Sequence, residues 1–138
     1  MKPGVVSAAV AALLIVGSVT AEAAKAPPQR DCAPNFVMKG NFFTGRNVTA
    51  FKVYPNGKKG AAVDSIVPAI ALAGYGIDSS SAAHGVITAR QGPVKLNVVV
   101  APSGKGIKVD VIMTIPGDVI VQVNGVLDDV CKIFNAVH

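Results

Sequence analysis

The two cysteines of this chain, Cys32 and Cys131, are the first residues to consider for chemistry. They lie 99 positions apart, without a cysteine or histidine at the short local spacing of a zinc site, so a metal centre is not expected. In an oxidising compartment an isolated pair of this kind favours a disulfide, and two separate thiols are the alternative. We therefore predict a disulfide between Cys32 and Cys131.

The other side chains with catalytic potential are scattered. His84 falls in a predicted turn and His138 is the last residue, and neither lies beside a nucleophile motif. The serines at residues 79–81 lack the glycine pattern of a nucleophile elbow. Asp128 and Asp129 are adjacent on a predicted helix, where side chains diverge by about 100°, so we assign both to its solvent face. We expect no enzyme activity and no cofactor.

Phosphate and nucleic-acid binding are equally poorly supported. The Gly-Lys-Gly tripeptide at residues 104–106 lacks the longer glycine spacing and the following Ser or Thr of a phosphate-binding loop. The lysines are not interleaved with aromatic residues on which bases could stack, so no nucleic-acid partner is expected. Asn47 begins an Asn-Val-Thr sequon, whose glycosylation depends on a eukaryotic source and stays open.

The N-terminal segment predicts export. Lys2 precedes an almost uncharged apolar run at residues 5–19, and the Ala-Glu-Ala at residues 21–23 has the pattern of a signal-peptidase site. The run is shorter than the roughly 20 residues of a spanning helix, so a membrane anchor is the less favoured alternative. We predict a signal peptide at residues 1–23, cleavage near Ala23, and a periplasmic or extracellular mature protein. Residues 24–35 hold three prolines and predict an extended arm.

The charge balance favours acidic partners. The net charge of +5 is unchanged by loss of the signal peptide, which removes one lysine and one glutamate. Such an excess favours contact with anionic surfaces, and solubility alone is the alternative explanation. Five lysines are predicted to form an anion-facing patch near one end of a sheet: Lys58, Lys59, Lys95, Lys105 and Lys108.

Residues 36–138 carry the pattern of a single α+β domain. Apolar, β-rich runs alternate with short turns rich in Gly and Pro, and connections this short require antiparallel neighbours. In the first run, Thr49, Phe51 and Val53 share one face of a half-buried strand. The strand-like runs are residues 36–54, 77–80, 86–90, 94–101 and 107–115.

Two segments have helical periodicity. The first begins at residue 61 or 64 and ends before a left-handed Gly74. Pro68 is tolerated if Asp64 is the N-cap, because it then lies in or near the first turn; a deeper position would cost about 3 kcal/mol or kink the helix. The second runs from an Asp118 N-cap to the C-terminus, and its Gly125 predicts close packing against the sheet. Helix faces this apolar must be buried, so we predict a two-layer α+β sandwich, with an antiparallel sheet of about five strands packed by two helices.

One segment carries a family resemblance. Residues 69–89 resemble a stretch of bacterial envelope proteins in which a helix ends in Gly-Tyr, a strand follows, and a turn leads into Gly-Val-Ile-Thr. The shared pieces are Gly74, Tyr75, Ile77 and residues 85–88. They resemble the helix-grip lipoprotein of the outer-membrane barrel-assembly machine, of the C type. The resemblance implies a helix-grip-like fold and an envelope location. The lipid-anchoring cysteine context of that family is missing here, so no binding residue is carried over.

Together these patterns predict a small exported, non-catalytic module that acts through contacts with an envelope protein or an anionic surface. The alternative is a carrier for a small apolar ligand or lipid, held between the closing helix and the sheet. The abundance of Val, Ala and Gly in these segments would leave room for such a ligand.

Overall fold

The computed structural model describes residues 31–138, and the predicted signal peptide and most of the predicted arm lie outside them. The described chain forms six strands and two helices. In chain order they are β1 (Val37–Asn41), β2 (Gly45–Tyr54), α1 (Lys59–Leu72), β3 (Gly76–Ser81), β4 (Val86–Gln91), β5 (Val94–Ser103), β6 (Gly106–Ile115) and α2 (Val123–Asn135).

All six strands belong to one antiparallel sheet with the order β1-β2-β6-β5-β4-β3. The predicted α+β class and the two helices are therefore confirmed, and the sheet has six strands where about five were expected. The stretch at residues 36–54 folds as a β1–β2 hairpin. Its turn is closed by Asn41, whose side-chain oxygen accepts the Phe43 and Thr44 N–H groups at 2.9 Å each.

The core lies between the inner face of the sheet and the two helices. Every second residue is buried there from Val94 to Val100 in β5 and from Ile107 to Ile115 in β6, as strand alternation requires. Helix α1 contributes Val63, Ile66 and Ile70, and α2 contributes an apolar stripe that includes Leu127 and Phe134. The Tyr54 hydroxyl donates to the Phe134 carbonyl at 2.7 Å, which ties the end of β2 to α2.

The first helix begins earlier than predicted. It starts at Lys59, so Pro68 lies well inside it rather than in the first turn. Proline has no N–H, and the carbonyl of Asp64 therefore loses its intrahelical donor. Both Asp64 and Pro68 are on the exposed side of α1, where water can bond that carbonyl. The cost of an internal proline is thereby reduced.

The second helix begins later than predicted, and the Asp118 N-cap is wrong. Asp118 has a φ of 65° and donates its N–H to the Phe42 carbonyl at 2.7 Å. The Arg46 guanidinium then holds the carbonyl of Val119, and the half-buried Val119 and Val121 pack against the core. These tertiary contacts keep residues 118–121 out of the helix, whose N-cap is Gln122.

Cys32 and Cys131 form the predicted disulfide, with their Cα atoms 5.2 Å apart. The described part of the arm, residues 31–35, consists of turns and one bridge residue, Ala33. Ala33 and the adjoining Phe36 are both fully buried. The disulfide thus joins a segment that enters the core to the buried side of α2.

Candidate functional site

The sheet has an outer face that no described helix covers. Both helices pack on the inner face, so the outer residues of each strand point away from the core. Register aligns these residues in rows across the strands. One row contains Val37, Thr49, Ile112, Asn97 and Thr88, and the next contains Phe51, Asp110, Val99 and Val86.

Four large apolar side chains on this outer face form what we call the apolar patch. The exposed fractions are 42% for Val37, 37% for Phe51, 47% for Val53 and 37% for Ile112. Val37 and Ile112 flank Thr49 on either side, and Phe51 and Val53 continue along β2. Thr49, Phe51 and Val53 share one face of β2, as predicted, and this is the exposed face of the strand. Apolar side chains grouped on one exposed face are a candidate contact surface.

A basic row borders the apolar patch. Register places Lys39, Asn47, Thr114, Lys95 and Arg90 side by side across β1, β2, β6, β5 and β4. Arg90 is neutralised by Asp78, with Nε 2.9 Å from Oδ2. Among residues 31–138, Lys39 and Lys95 have no carboxylate within ion-pair distance. The border of the patch is therefore net positive.

Lys108 lies within the outer face itself. Its Nζ is 4.5 Å from the centroid of the Phe51 ring and 3.6 Å from Asp110 Oδ1. A cation over an aromatic face is attracted by the ring quadrupole. Lys108 therefore covers part of Phe51 and is itself largely compensated.

The structure divides the predicted lysine patch into two parts. Lys58, Lys59 and Lys105 lie with Lys108 where β2 ends and β6 begins; we call these four the basic end. Lys95 pairs with Thr114 near the opposite end of the strands. Six residues of β6 separate Thr114 from Lys108, which is roughly 20 Å at strand spacing. Lys95 therefore belongs to the basic row and not to the basic end.

A cleft of about 320 Å³ opens at the sheet end where α1 stops and α2 starts. The C-terminal cap of α1 positions one wall of the cleft. Gly74 has a φ of 98°, and the Tyr75 N–H donates to the Ile70 carbonyl at 3.2 Å. This confirms Gly74 as the left-handed end of the helix. It also turns Tyr75 back into the core, where it is 6% exposed.

Asp129 is the charged residue of the cleft. Its Oδ2 accepts the Tyr75 hydroxyl at 3.1 Å, and burial raises the pKa of this carboxyl above its usual range. Burial and the neighbouring Asp129 also raise the pKa of Tyr75, so its hydroxyl stays protonated and donating. The assignment of Asp129 to the solvent face was wrong. The residue lies three positions after Val126 and four before Ile133, at the border of the apolar stripe.

Gly125 also lines the cleft, and the predicted close packing against the sheet was wrong. A Cβ built at this position would meet no heavy atom nearer than the Gln122 Cβ, at 3.7 Å. The missing side chain leaves open space beside Gln122, Val126 and Asp129 rather than admitting another element.

A histidine and a serine lie in hydrogen-bond contact at the β3–β4 turn. His84 Nδ1 lies 2.9 Å from the Ser81 hydroxyl, which also accepts the His84 N–H at 3.1 Å. Closure of an exposed turn explains both contacts. In the described residues, no three His, Cys, Asp or Glu side chains are grouped to hold a metal ion.

Comparisons with known proteins return nothing that this chain resembles: no protein-family model matches, and no curated protein or solved structure matches. Within residues 31–138, no helix combines the length and apolar character needed to cross a bilayer.

Proposed function

We propose that this protein is an exported, non-catalytic binding module whose outer sheet face docks onto a partner protein. The single observation that carries the proposal is the apolar patch, exposed on a sheet face and bordered by the uncompensated Lys39 and Lys95. Interfaces commonly combine an apolar centre with a polar rim. The complementary partner is a protein with an apolar surface bordered by carboxylates.

Charge favours this partner over a second copy of the chain. Two copies meeting through their outer faces would bring two surfaces of the same sign together, and like charges across an interface are unfavourable. The whole chain is also basic, with a net charge of +5, which favours encounter with acidic partners.

Export is part of the proposal. The apolar N-terminal run and its small-residue cleavage pattern support it, and so does the disulfide, because such bonds persist in oxidising compartments. The mature protein would then begin near Ala24 and work in the periplasm or outside the cell. The resemblance of residues 74–88 to the barrel-assembly lipoprotein supports an envelope location and a helix-grip-like arrangement.

Charge reversal on the outer face tests the proposal. The mature protein is immobilised and exposed to the envelope and secreted fractions of its own cells, and bound proteins are quantified. The Lys39→Glu/Lys95→Glu variant is expected to retain about tenfold less of the partner, because repulsion replaces attraction at two rim positions. Both lysines are exposed, so its melting temperature should stay that of the wild type.

The matched control is Lys58→Glu/Lys105→Glu, which makes the same charge change at the basic end. It should retain the partner as the wild type does. Loss of capture in this control and not in Lys39→Glu/Lys95→Glu would overturn the proposal in favour of the basic end. Binding to vesicles of anionic phospholipid in place of any protein would overturn it in favour of a lipid surface.

A second candidate function is the carrier of a small apolar ligand, and the cleft at Tyr75 and Asp129 is the observation that favours it. Its volume of about 320 Å³ is at the lower end of the range for small-molecule sites. It lies between α2 and the end of the sheet, close to the position expected for such a ligand. Apolar walls with a few converging polar groups are typical of these sites.

A further inference from the structure

We infer that the cleft binds a small apolar molecule that carries a primary amine, with the ammonium group on Asp129. The inference rests on the second candidate function, because it names the chemistry of the ligand that the cleft would carry. It depends on the shape of the cleft, on its lining and on the position of one carboxylate.

The walls suit a short hydrocarbon. Apolar surface comes from the C-cap of α1, from β5, from the loop before α2 and from α2 itself, through Ala73, Val94, Val121 and Val126. The side chain missing at Gly125 keeps this space open. These side chains provide apolar contacts for an alkyl chain, which is stabilised by each methylene that leaves water.

The polar groups favour a cation at one end of that chain. Asp129 is half-buried, and one of its oxygens accepts the Tyr75 hydroxyl. In the described chain no lysine, arginine or histidine forms an ion pair with it. Burial disfavours its charged form, and the more distant positive charge of Lys132 offsets this only in part, so a ligand ammonium would add electrostatic stabilisation. The C-terminal cap of α1 holds the backbone of Tyr75, and the Tyr75 hydroxyl in turn orients the Asp129 carboxylate for this contact.

The remaining polar lining fits the same head group. Gln91 and Gln122 lie at the cleft, and their amide oxygens are acceptors that can share the ammonium protons. An ammonium has three donors and no acceptor, so a carboxylate with two amides satisfies it. A ligand with a carboxylate head group would instead be repelled by Asp129, which carries the same sign of charge.

Three probes with one hydrocarbon body test the inference: hexylamine, hexanol and hexanoate. Binding to the mature, disulfide-bonded protein is measured by calorimetry and by NMR shifts of α2 amides. Hexylamine is expected to bind about tenfold more tightly than hexanol, since a charge-assisted hydrogen bond contributes more than a neutral one, and hexanoate more weakly than either.

The variants separate the inference from the function on which it rests. Asp129→Asn keeps an acceptor for Tyr75 and should lower hexylamine affinity to that of hexanol. Asp128→Asn removes the same charge from the exposed neighbouring position, which acts on Asp129 only at a distance, and should lower hexylamine affinity far less. Gly125→Leu should block all three probes. Equal binding of hexylamine and hexanol to the wild type, or an unchanged Asp129→Asn, overturns the amine inference and leaves the carrier function standing. Failure of every probe to bind the wild type overturns both.

Discussion

Replacing Cys32 and Cys131 together by alanine is expected to lower the free energy of unfolding by about 2–5 kcal/mol. The bond joins residues 99 positions apart, so its loss frees a long loop in the unfolded chain. Loss of the bond also frees the N-terminal segment, whose Ala33 and Phe36 are buried in the core. Urea unfolding followed by circular dichroism measures the change.

Reduction of the wild-type protein is the control for this prediction. A reductant should destabilise the wild type by a similar amount and leave the double alanine variant unaffected. A loss below about 1 kcal/mol, in the range of an ordinary surface substitution, would show that the core holds the N-terminal segment without the disulfide.

Replacing Phe51 and Ile112 together by serine is expected to weaken binding of the partner captured from the envelope or secreted fractions by roughly 30- to 100-fold. Central aromatic and aliphatic side chains carry most of the energy of an interface. Both residues face outward but are only 37% exposed, and Lys108 lies over the Phe51 ring. The fold should therefore lose about 0.2–1 kcal/mol for each cross-strand pair and about 0.5–1 kcal/mol for the cation–π contact. Titration of the purified partner measures the affinity, and thermal unfolding measures the stability.

The control removes a larger exposed apolar surface elsewhere on the molecule. Leu72 at the end of α1 is 87% exposed and Ile120 in the loop before α2 is 80% exposed, and neither lies on the outer face. Leu72→Ser/Ile120→Ser should leave partner affinity within about twofold of the wild type. Equal losses in the two double variants would mean that general hydrophobicity, and not the outer face, drives binding.

Local signals in the sequence predict most of the secondary structure. The three-and-four spacing of Val63, Ile66 and Ile70 identifies the buried face of α1, and Gly74 identifies its end. Alternation identifies the two faces of β2 and β6. Alternation does not say which face a helix covers, so the exposure of Phe51 and Val53 could be known only from the fold.

Features that depend on distant contacts were missed. The pairing of β2 with β6 joins strands far apart in sequence, and this pairing sets the rows of the outer face. The late start of α2 follows from contacts of residues 118 and 119 with the β1–β2 hairpin. The cleft draws its lining from α2, from the residues that follow α1, from β4, β5 and β6, and from the loop before α2, so no local pattern could reveal Asp129 as its charged group.

Photo-crosslinking inside the cells that make this protein tests the central claim most directly. A photoreactive side chain is placed at Thr49 or Val53 on the outer face, and at Asp64 or Ala71 on the exposed side of α1. If the outer face is the contact surface, positions 49 and 53 give an adduct with one acidic protein, and positions 64 and 71 do not. Adducts that form only from α1, or none from the outer face while the protein is folded and exported, would contradict it.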